Sequence, residues 1–228
     1  MWSDARSSLS SKGHIVQLHS FFNSSTSYRV RIALALKGLP YDTLPVNIRT
    51  GEHRDADYIA QVNPSAAVPA LTDDDFRLGQ SLAILDYLDQ IQPTPRLIPL
   101  EPRRRARVLE LAALIACDIH PVNNLRVLRY LDSELKVTPQ QKSAWYRHWV
   151  AEGMAGVERL LARANAGPWC FGDAPTLADV CLVPQVANAL RMDCDLSAYP
   201  RCLAVVEHAR HEPAFEAAQP QRQPDYVA

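Results

Sequence analysis

The sequence predicts a mixed α/β domain with a small sheet, followed by an all-helical domain. Strand-like and helical segments alternate in the first part of the chain, whereas strand patterns nearly disappear in the second part. A cluster of prolines separates the two, as is typical of a linker. We therefore expect the sheet-containing domain at 15–96 and the helical domain at 103–228. The prolines of the cluster are Pro93, Pro95, Pro99 and Pro102.

The first domain has the predicted order β-α-β-α-β-β-α. A strand, a helix and a second strand in succession favour a parallel pair, and the turn 73–75 favours a hairpin that returns as a fourth strand. The result is a mixed four-stranded sheet with helices. The expected strands are 15–18, 41–46, one that Pro69 opens, and 76–78, and the expected helices are 27–37, 57–62 and one from Gln80. In helix 27–37 we expect the basic side chains to lie off the apolar face.

The second domain carries long helical patterns at 103–131, with a bend near Pro121, and at 139–165. The sequence T-x-x-D at 176–179 is typical of a capping box that opens another helix, which makes Asp179 a folding residue. The tail beyond Phe215 is rich in proline and glutamine and is expected to be irregular.

Composition excludes several classes of partner. The chain is 47% hydrophobic and 21% charged with a formal net charge of −1, so it can bury a core and has no electrostatic bias toward nucleic acid or membranes. Its apolar runs are interrupted by charge and too short to span a bilayer. Residues 1–14 are polar, lack the apolar core of a secretory signal and are expected to form a flexible extension. The histidines lack metal-ligand spacing, so no metal site is predicted.

The five cysteines predict reduced thiols in a cytoplasmic protein. Their number is odd, no pair has C-x-x-C spacing, and most lie in apolar helical patterns, which favours burial. They are Cys117, Cys170, Cys181, Cys194 and Cys202.

A row of hydroxyls between the first strand and the first helix is the strongest candidate site. Ser24, Ser25 and Thr26 precede a helix whose free N–H groups stabilise an anion such as a thiolate. The alternative is that Ser25 or Ser27 only caps the helix.

Two further segments have the chemistry to bind a peptide. Pro69 opens a strand, and a cis bond before it would turn the backbone of Val68 outward toward an extended peptide, although an ordinary trans proline is the alternative. Gln80 and Ser81 open a helix and could hold a peptide carboxylate on its N–H groups, or Ser81 could be a plain cap.

Three basic or polar segments remain open to both structural and functional interpretations. His53 lies in a polar loop and is expected to be solvated. The polar stretch 118–126 lies inside a helical pattern, and we favour a cleft there because Arg126 can bind a carboxylate bidentately. Arg191 ends an apolar helix, where a cation complements the helix dipole.

Together these segments resemble the glutathione transferase superfamily, most closely its zeta class. The resemblance covers nearly the whole chain from about Ile15, and several separated motifs carry it. They are S-S-T-S-Y-R-V-R-I-A-L-A-L-K-G, N-P-S-A-A-V-P-A-L, G-Q-S-L-A-I-L-D-Y-L, C-D-I-H-P-V-N-N-L-R, G-D-A-P-T-L-A-D-V-C-L-V-P-Q-V-A-N-A and R-Q-P-D.

The resemblance implies a thioredoxin-like N-terminal domain, an all-helical C-terminal domain and a homodimer, which is the glutathione transferase fold. It implies glutathione as cofactor, a cis bond before Pro69 and antiparallel pairing of glutathione with Val68. It also implies cis–trans isomerisation of maleylacetoacetate or maleylpyruvate, small dicarboxylic keto acids of aromatic catabolism, by thiolate addition, bond rotation and elimination. The C-D-I-H-P-V-N-N stretch is nearer the maleylpyruvate branch.

The same resemblance assigns expected roles by motif position. Ser24, supported by Ser25 and Thr26, would stabilise the thiolate. Substrate carboxylates and the developing enolate would be bound by Arg126 and Arg191. The residues expected to hold glutathione are His53, Val68, Pro69, Gln80, Ser81 and Asn124.

Two positions depart from the zeta-class pattern. Thr26 stands where these proteins commonly have cysteine, which weakens reductive dehalogenation. Asn23 stands where they commonly have arginine, which puts one substrate contact in doubt. Conjugation of glutathione to small halogenated acids, and a binding role without turnover, therefore remain as alternative functions.

Overall fold

A computed structural model describes residues 15–164 and 167–227. The predicted extension at 1–14 lies outside the described residues. Within them the strands form one four-stranded sheet in the order β2-β1-β3-β4. The strands are β1 Val16–Ser20, β2 Tyr41–Pro45, β3 Ala70–Asp73 and β4 Phe76–Gly79.

The sheet is mixed, as predicted. Strand β1 pairs in parallel with β2 and antiparallel with β3, so that Leu18 lies between Thr43 and Leu71. Strands β3 and β4 form the antiparallel hairpin. Leu18 is fully buried, because helices cover the sheet at its centre.

Helix α1 (Ser25–Leu36) is buried around its whole circumference, and the expectation for its basic residues is wrong. It packs against α3 (Ser81–Ile91), α7 (Leu177–Arg191) and α9 (Pro213–Ala217), so there is no solvent-facing side. The basic side chains therefore have internal partners, and Lys37 donates to the fully buried carboxylate of Asp89 at 2.8 Å. The buried basic residues are Arg29, Arg31 and Lys37.

The predicted helix 103–131 is divided in the structure. Helix α4 (Pro102–Ala113) continues into a π-helical turn, Leu114–Ile119, and a 3₁₀ turn, Pro121–Asn123, before α5 (Leu125–Ser133). Length and composition alone would let Pro102–Ser133 cross a membrane, a criterion that core helices of soluble proteins also meet. The division at residues 120–124 directs polar side chains toward the start of α1.

The remaining helices are short or follow the prediction closely. Thr176 caps α7 with the predicted capping box, in which its N–H and hydroxyl donate to Asp179 at 2.8 and 2.9 Å. Beyond Phe215 the tail is more ordered than expected, because the side chain of Gln223 donates to two backbone carbonyls and fixes a 3₁₀ turn. The other helices are α2 Ala56–Gln61, α6 Pro139–Ala164, α8 Pro200–Ala209 and the 3₁₀ turns Glu52–Arg54 and Pro220–Arg222.

All five cysteines are free. Four are buried, as expected for structural thiols, and Cys117 is exposed, contrary to the expectation of burial. Cys117 belongs to the π-helical turn, whose buried side is occupied by Ile115 and Ile119.

Candidate active site

The hydroxyl row lies at the N-terminus of α1, and Ser24 is the cap. Its Oγ accepts a hydrogen bond from the N–H of Ser27 at 3.2 Å. The expectation that Ser25 or Ser27 caps the helix is wrong by one to three positions, because the helix begins at Ser25. Ser24 therefore combines a structural bond with a hydroxyl at the positive end of the helix.

Thr26 connects the hydroxyl row to the cis peptide bond between Val68 and Pro69. Its hydroxyl donates to the carbonyl of Val68 at 3.1 Å and lies 2.9 Å from the hydroxyl of Ser24. A hydroxyl has one proton to donate, so Thr26 accepts from Ser24 while it donates to Val68. The cis geometry that the resemblance implied is confirmed.

Ser25 is bonded to the helical domain through His120. Its Oγ lies 3.3 Å from Nδ1 of His120, and Nε2 of the same ring lies 3.3 Å from the amide nitrogen of Asn124. The side-chain oxygen of Asn124 caps α5 by accepting from the N–H of Arg126, so its amide nitrogen faces the ring and donates to Nε2. Nδ1 must then carry the proton and donate to Ser25, which leaves the Ser25 hydroxyl proton free for another acceptor.

The His120 ring is neutral at any working pH. Burial, and after it the positive charges of Arg29 and Arg126, lower its pKa to about 3. A neutral ring fixes the direction of the hydrogen-bond chain from Asn124 to Ser25, because each nitrogen has a single role.

The start of α3 is linked to α1 by a buried arginine. Arg29 donates from one terminal nitrogen to Oγ of Ser81 at 3.3 Å, while Nε and the other terminal nitrogen are buried without a partner among the described residues. Gln80 precedes this helix with a positive φ of 65° and an exposed side chain. The N-terminus of α3 thus presents N–H groups, a hydroxyl and nearby positive charge, a set that suits a carboxylate.

His53 is buried, and the expectation of a solvated side chain is wrong. Its pKa is lowered by burial first and then by Arg54 and Arg129. Nδ1 is buried without a hydrogen-bond partner among the described residues, so a neutral ring here has a polar atom to offer a ligand.

A cleft of about 470 Å³ opens between the hydroxyl row, helix α7 and the C-terminal tail. Ser24 and Ser25 line it together with Tyr226 of the tail, whose ring packs against that of Phe22. The described residues that line it include three arginines and no carboxylate, so the cleft is electropositive. The arginines are Arg49, Arg191 and Arg210.

Arg191 is held in the cleft by neutral partners. It donates to the carbonyl of Asn23 at 3.3 Å and to the side-chain oxygen of Asn188, whose amide nitrogen donates to the hydroxyl of Tyr146 at 2.6 Å. Burial lowers the pKa of Arg191, Tyr146 opposes this shift, and Arg49 adds to it. The positive charge is thus oriented but not neutralised, and it can bind an anion.

The structure brings part of the predicted site residues together, and no contact described above joins His53 or Gln80 to the hydroxyl row. Ser24, Ser25 and Arg191 line the cleft, while Arg126 lies exposed on α5 and does not line it. The predicted residues next to the hydroxyl row are Thr26 and Val68 by direct contact and Asn124 through His120.

Sequence reasoning missed Arg49, Asn188 and the tail residue Tyr226 as parts of the cleft. Arg49 lies in a polar loop that looks solvated in sequence. Asn188 lies one turn before Arg191 on α7, and that i, i+3 spacing was the available signal.

Family models for the glutathione S-transferase N-terminal and C-terminal domains match residues 23–91 and 143–208. The maleylacetoacetate isomerase of Pseudomonas aeruginosa is 47% identical over 216 residues, which cover 93% of this chain and 100% of that protein. The chain therefore belongs to the glutathione transferase family, as the resemblance predicted.

Solved structures narrow this assignment to the zeta class. A holo structure of maleyl pyruvate isomerase, described as a bacterial zeta-class enzyme, has a TM-score of 0.90 and 43% identity and covers 92% of this chain and 100% of that one. A maleylacetoacetate isomerase from Methylobacterium extorquens with bound malonate and glutathione has a TM-score of 0.89 and 36% identity, with coverages of 93% and 100%.

Proposed function

We propose that this protein is a glutathione-dependent cis–trans isomerase of a maleyl keto acid, either maleylacetoacetate or maleylpyruvate. The observation that carries this proposal is the placement of Ser24 and Ser25 in the same electropositive cleft as Arg191. Such a cleft can stabilise a thiolate at one end and hold a carboxylate at the other. Relatives with both names cover nearly all of this chain.

The residues present fit glutathione as cofactor. Val68, next to the cis bond, offers its backbone to an extended peptide, and Ser81 with Gln80 offers the N-terminus of α3 to the γ-glutamyl carboxylate. The unpartnered Nδ1 of buried His53 suits the glycine end. Bound glutathione supplies the thiol that adds to the substrate double bond and leaves once the bond has rotated.

The chain stabilises the thiolate with hydroxyl and N–H donors. Ser25 is the better-prepared donor in this structure, because His120 donates to its oxygen and leaves its proton free. Ser24 donates to Thr26 here and would turn its proton toward a bound thiolate. A free thiol has a pKa of about 8.5, and each unit of lowering corresponds to about 1.4 kcal/mol of preference for the thiolate.

Arg191 has the position to bind a substrate carboxylate and to stabilise negative charge that develops on the neighbouring carbonyl oxygen. Its bonds to Asn23 and Asn188 fix the guanidinium toward the cleft before a substrate arrives. A positive charge in a partly enclosed site stabilises a carboxylate or a developing enolate more strongly than it does in water, because the effective dielectric constant is lower.

The test is a spectrophotometric assay with maleylpyruvate and, separately, maleylacetoacetate, with and without catalytic glutathione. Isomerisation that requires glutathione and does not consume it supports the proposal, and the ratio of the two rates identifies the substrate. Arg191→Ala should abolish most of the activity and Arg191→Lys should retain part of it. Net consumption of glutathione with halogenated acids would instead indicate conjugation, and no turnover would indicate a binding role.

We also propose that two copies associate through the groove between α4, the π-helical turn and α6. Its walls carry Glu110 and Asp118 on one side and Arg159 and Arg163 on the other, around apolar Leu114. Under a two-fold axis the acidic side of one copy would face the basic side of the other. Light scattering should give a dimer for the wild type and a monomer for Arg159→Glu, and a monomeric wild type would contradict the proposal.

The five unpaired cysteines favour a reducing compartment, so we expect the protein to act in the cytoplasm.

A further inference from the structure

The three arginines of the cleft differ in how their charge is used. Arg210 forms an ion pair with Glu207 at 2.6 Å and is therefore largely neutralised. Arg191 is bonded to a carbonyl and an amide, which orient it and leave its charge in place. Arg49 has neither an ion pair nor a side-chain hydrogen bond among the described residues. The cleft thus holds two uncompensated positive charges.

Arg49 is positioned by two neighbouring aromatic rings and by hydrogen bonds of its own backbone. Its guanidinium lies over the rings of Phe21 and Phe22, 5.4 Å from each centroid. Its loop is anchored, because its N–H donates to Asn47 at 2.9 Å and its carbonyl accepts from Arg129 at 3.0 Å. A guanidinium stacked by its face keeps its N–H edge available for a bidentate carboxylate.

We propose that Arg49 determines specificity for dianionic substrates, binding the second carboxylate while Arg191 binds the first. The inference rests on the proposed function, since it concerns the acid-binding end of the same cleft. Asn23 adjoins both arginines, because its backbone carbonyl accepts from Arg191 and it directly follows Phe22, whose ring lies under the guanidinium of Arg49.

The charge balance of the cleft supports a dianion. Arg49 is close enough to Arg191 to lower its pKa, so the two positive charges repel each other. A dicarboxylate neutralises both and removes this repulsion, whereas a monocarboxylate leaves one cation unpaired next to the other. The described lining residues offer no protein carboxylate that would compete with the ligand for either arginine.

The test measures binding of malonate and of monomethyl malonate to the glutathione-loaded protein by calorimetry. Arg49→Ala should weaken malonate binding about tenfold, the loss expected for one charge-assisted interaction, and should leave monomethyl malonate nearly unchanged. Arg49→Lys should recover part of the malonate affinity. Arg103→Ala removes an equal charge from an exposed arginine that does not line the cleft and should change neither affinity.

A second arginine offers a rescue. Asn23→Arg in the Arg49→Ala background places a cation beside Arg191 and should restore malonate binding. Equal losses for malonate and monomethyl malonate, together with weaker glutathione binding, would show a structural role for Arg49 and overturn the inference. An unchanged malonate affinity in Arg49→Ala would also overturn it. If wild type prefers malonate through Arg49 but shows no isomerisation, the proposed function fails and the specificity inference stands.

Discussion

Asn124 caps helix α5 with its side-chain oxygen and at the same time turns its amide nitrogen toward Nε2 of His120, at 3.3 Å. The Asn124 amide thus caps α5 and also selects the tautomer of the His120 ring. The ring in turn donates through Nδ1 to Ser25 at 3.3 Å. A residue of the helical domain therefore determines that the Ser25 hydroxyl keeps a proton available to donate.

Replacing Asn124 with aspartate should reverse this chain. One carboxylate oxygen still caps the helix, while the other accepts from Nε2, so Nδ1 becomes an acceptor and takes the Ser25 proton away from the cleft. A nearby anion raises the pKa of a histidine by about 1–3 units. Because the pKa of His120 is about 3 before the substitution, the ring stays neutral near pH 7. We expect kcat to fall at least about tenfold, the effect of one misplaced proton donor. Nitrogen NMR of His120 should show the tautomer change, and an unchanged tautomer would contradict the assignment. Asn124→Ser, which keeps the cap and removes the amide, is the control.

The two roles of Ser24 can be separated by comparing alanine with glycine. Both substitutions remove the hydroxyl, so both should raise the pKa of bound glutathione toward about 8.5. Alanine at a cap costs about 1 kcal/mol, whereas glycine costs only a few tenths. We expect equal losses of activity, with lower stability for Ser24→Ala than for Ser24→Gly. Thiolate absorbance against pH and urea unfolding provide the two measurements, and full activity of Ser24→Gly would remove Ser24 from the mechanism.

His120 should make the protein sensitive to mild acid. Its pKa is about 3 in the folded protein, chiefly because of burial and secondarily because of Arg29 and Arg126. The unfolded value is about 6.5, so between these two values the unfolded state binds more protons and the free energy of unfolding falls as the pH falls. From pH 7 to pH 5 the wild type should lose about 2 kcal/mol more than His120→Gln.

Urea unfolding at the two pH values measures this difference. His19 and His53 also have lowered pKa values, but they are present in both proteins and cancel in the comparison. Equal acid sensitivity of the two proteins would show that His120 is not kept neutral by the fold.

Asp225 should control access to the substrate end of the cleft. Its carboxylate accepts from the backbone N–H of Phe22 at 2.8 Å and so holds the tail, including Tyr226, beside the hydroxyl row. A hydrogen bond to a charged group contributes about 1.5–3 kcal/mol. Asp225→Ala should therefore raise KM for the acid and leave glutathione affinity unchanged. Asp225→Asn keeps an acceptor and should be milder. Limited proteolysis should cut the tail faster in Asp225→Ala. A higher dissociation constant for glutathione, with KM for the acid unchanged, would contradict a role of the tail at the substrate end of the cleft.

Features encoded by neighbouring residues were predictable from the sequence. The capping box of Thr176 and Asp179, the hydroxyls at the N-terminus of α1 and the hairpin between β3 and β4 depend on a few adjacent side chains, and the structure has all three. The helix begins at Ser25, two residues earlier than predicted, so Ser25 and Thr26 lie in its first turn. The domain boundary at the proline cluster stays a prediction, as do the roles of the individual site residues.

Features that depend on distant partners were not predictable. The local pattern of α1 suggested one apolar face, yet Arg29 and Arg31 are buried because α7 and α9 cover the opposite side. Arg49 is an exposed loop residue, as its sequence suggests, but its guanidinium lies over the rings of Phe21 and Phe22, which a local pattern does not predict. The surroundings of such residues are set by elements far apart in sequence, so they can be recognised only from the packed structure.

The burial of Arg31 has a consequence for the shape of the cleft. Its guanidinium donates to the carbonyl of Phe22 at 3.0 Å on one side and to the carbonyl of Ala218 at 3.0 Å on the other. Both backbones continue into segments that line the cleft, Phe22 with Asn23 on one side of Arg31 and residues 219–221 on the other. One side chain, projecting from the interior helix, thus sets the separation of the two surfaces between which the acid must fit. The width of the cleft is accordingly set in part from within the core, by a residue that does not line the cleft.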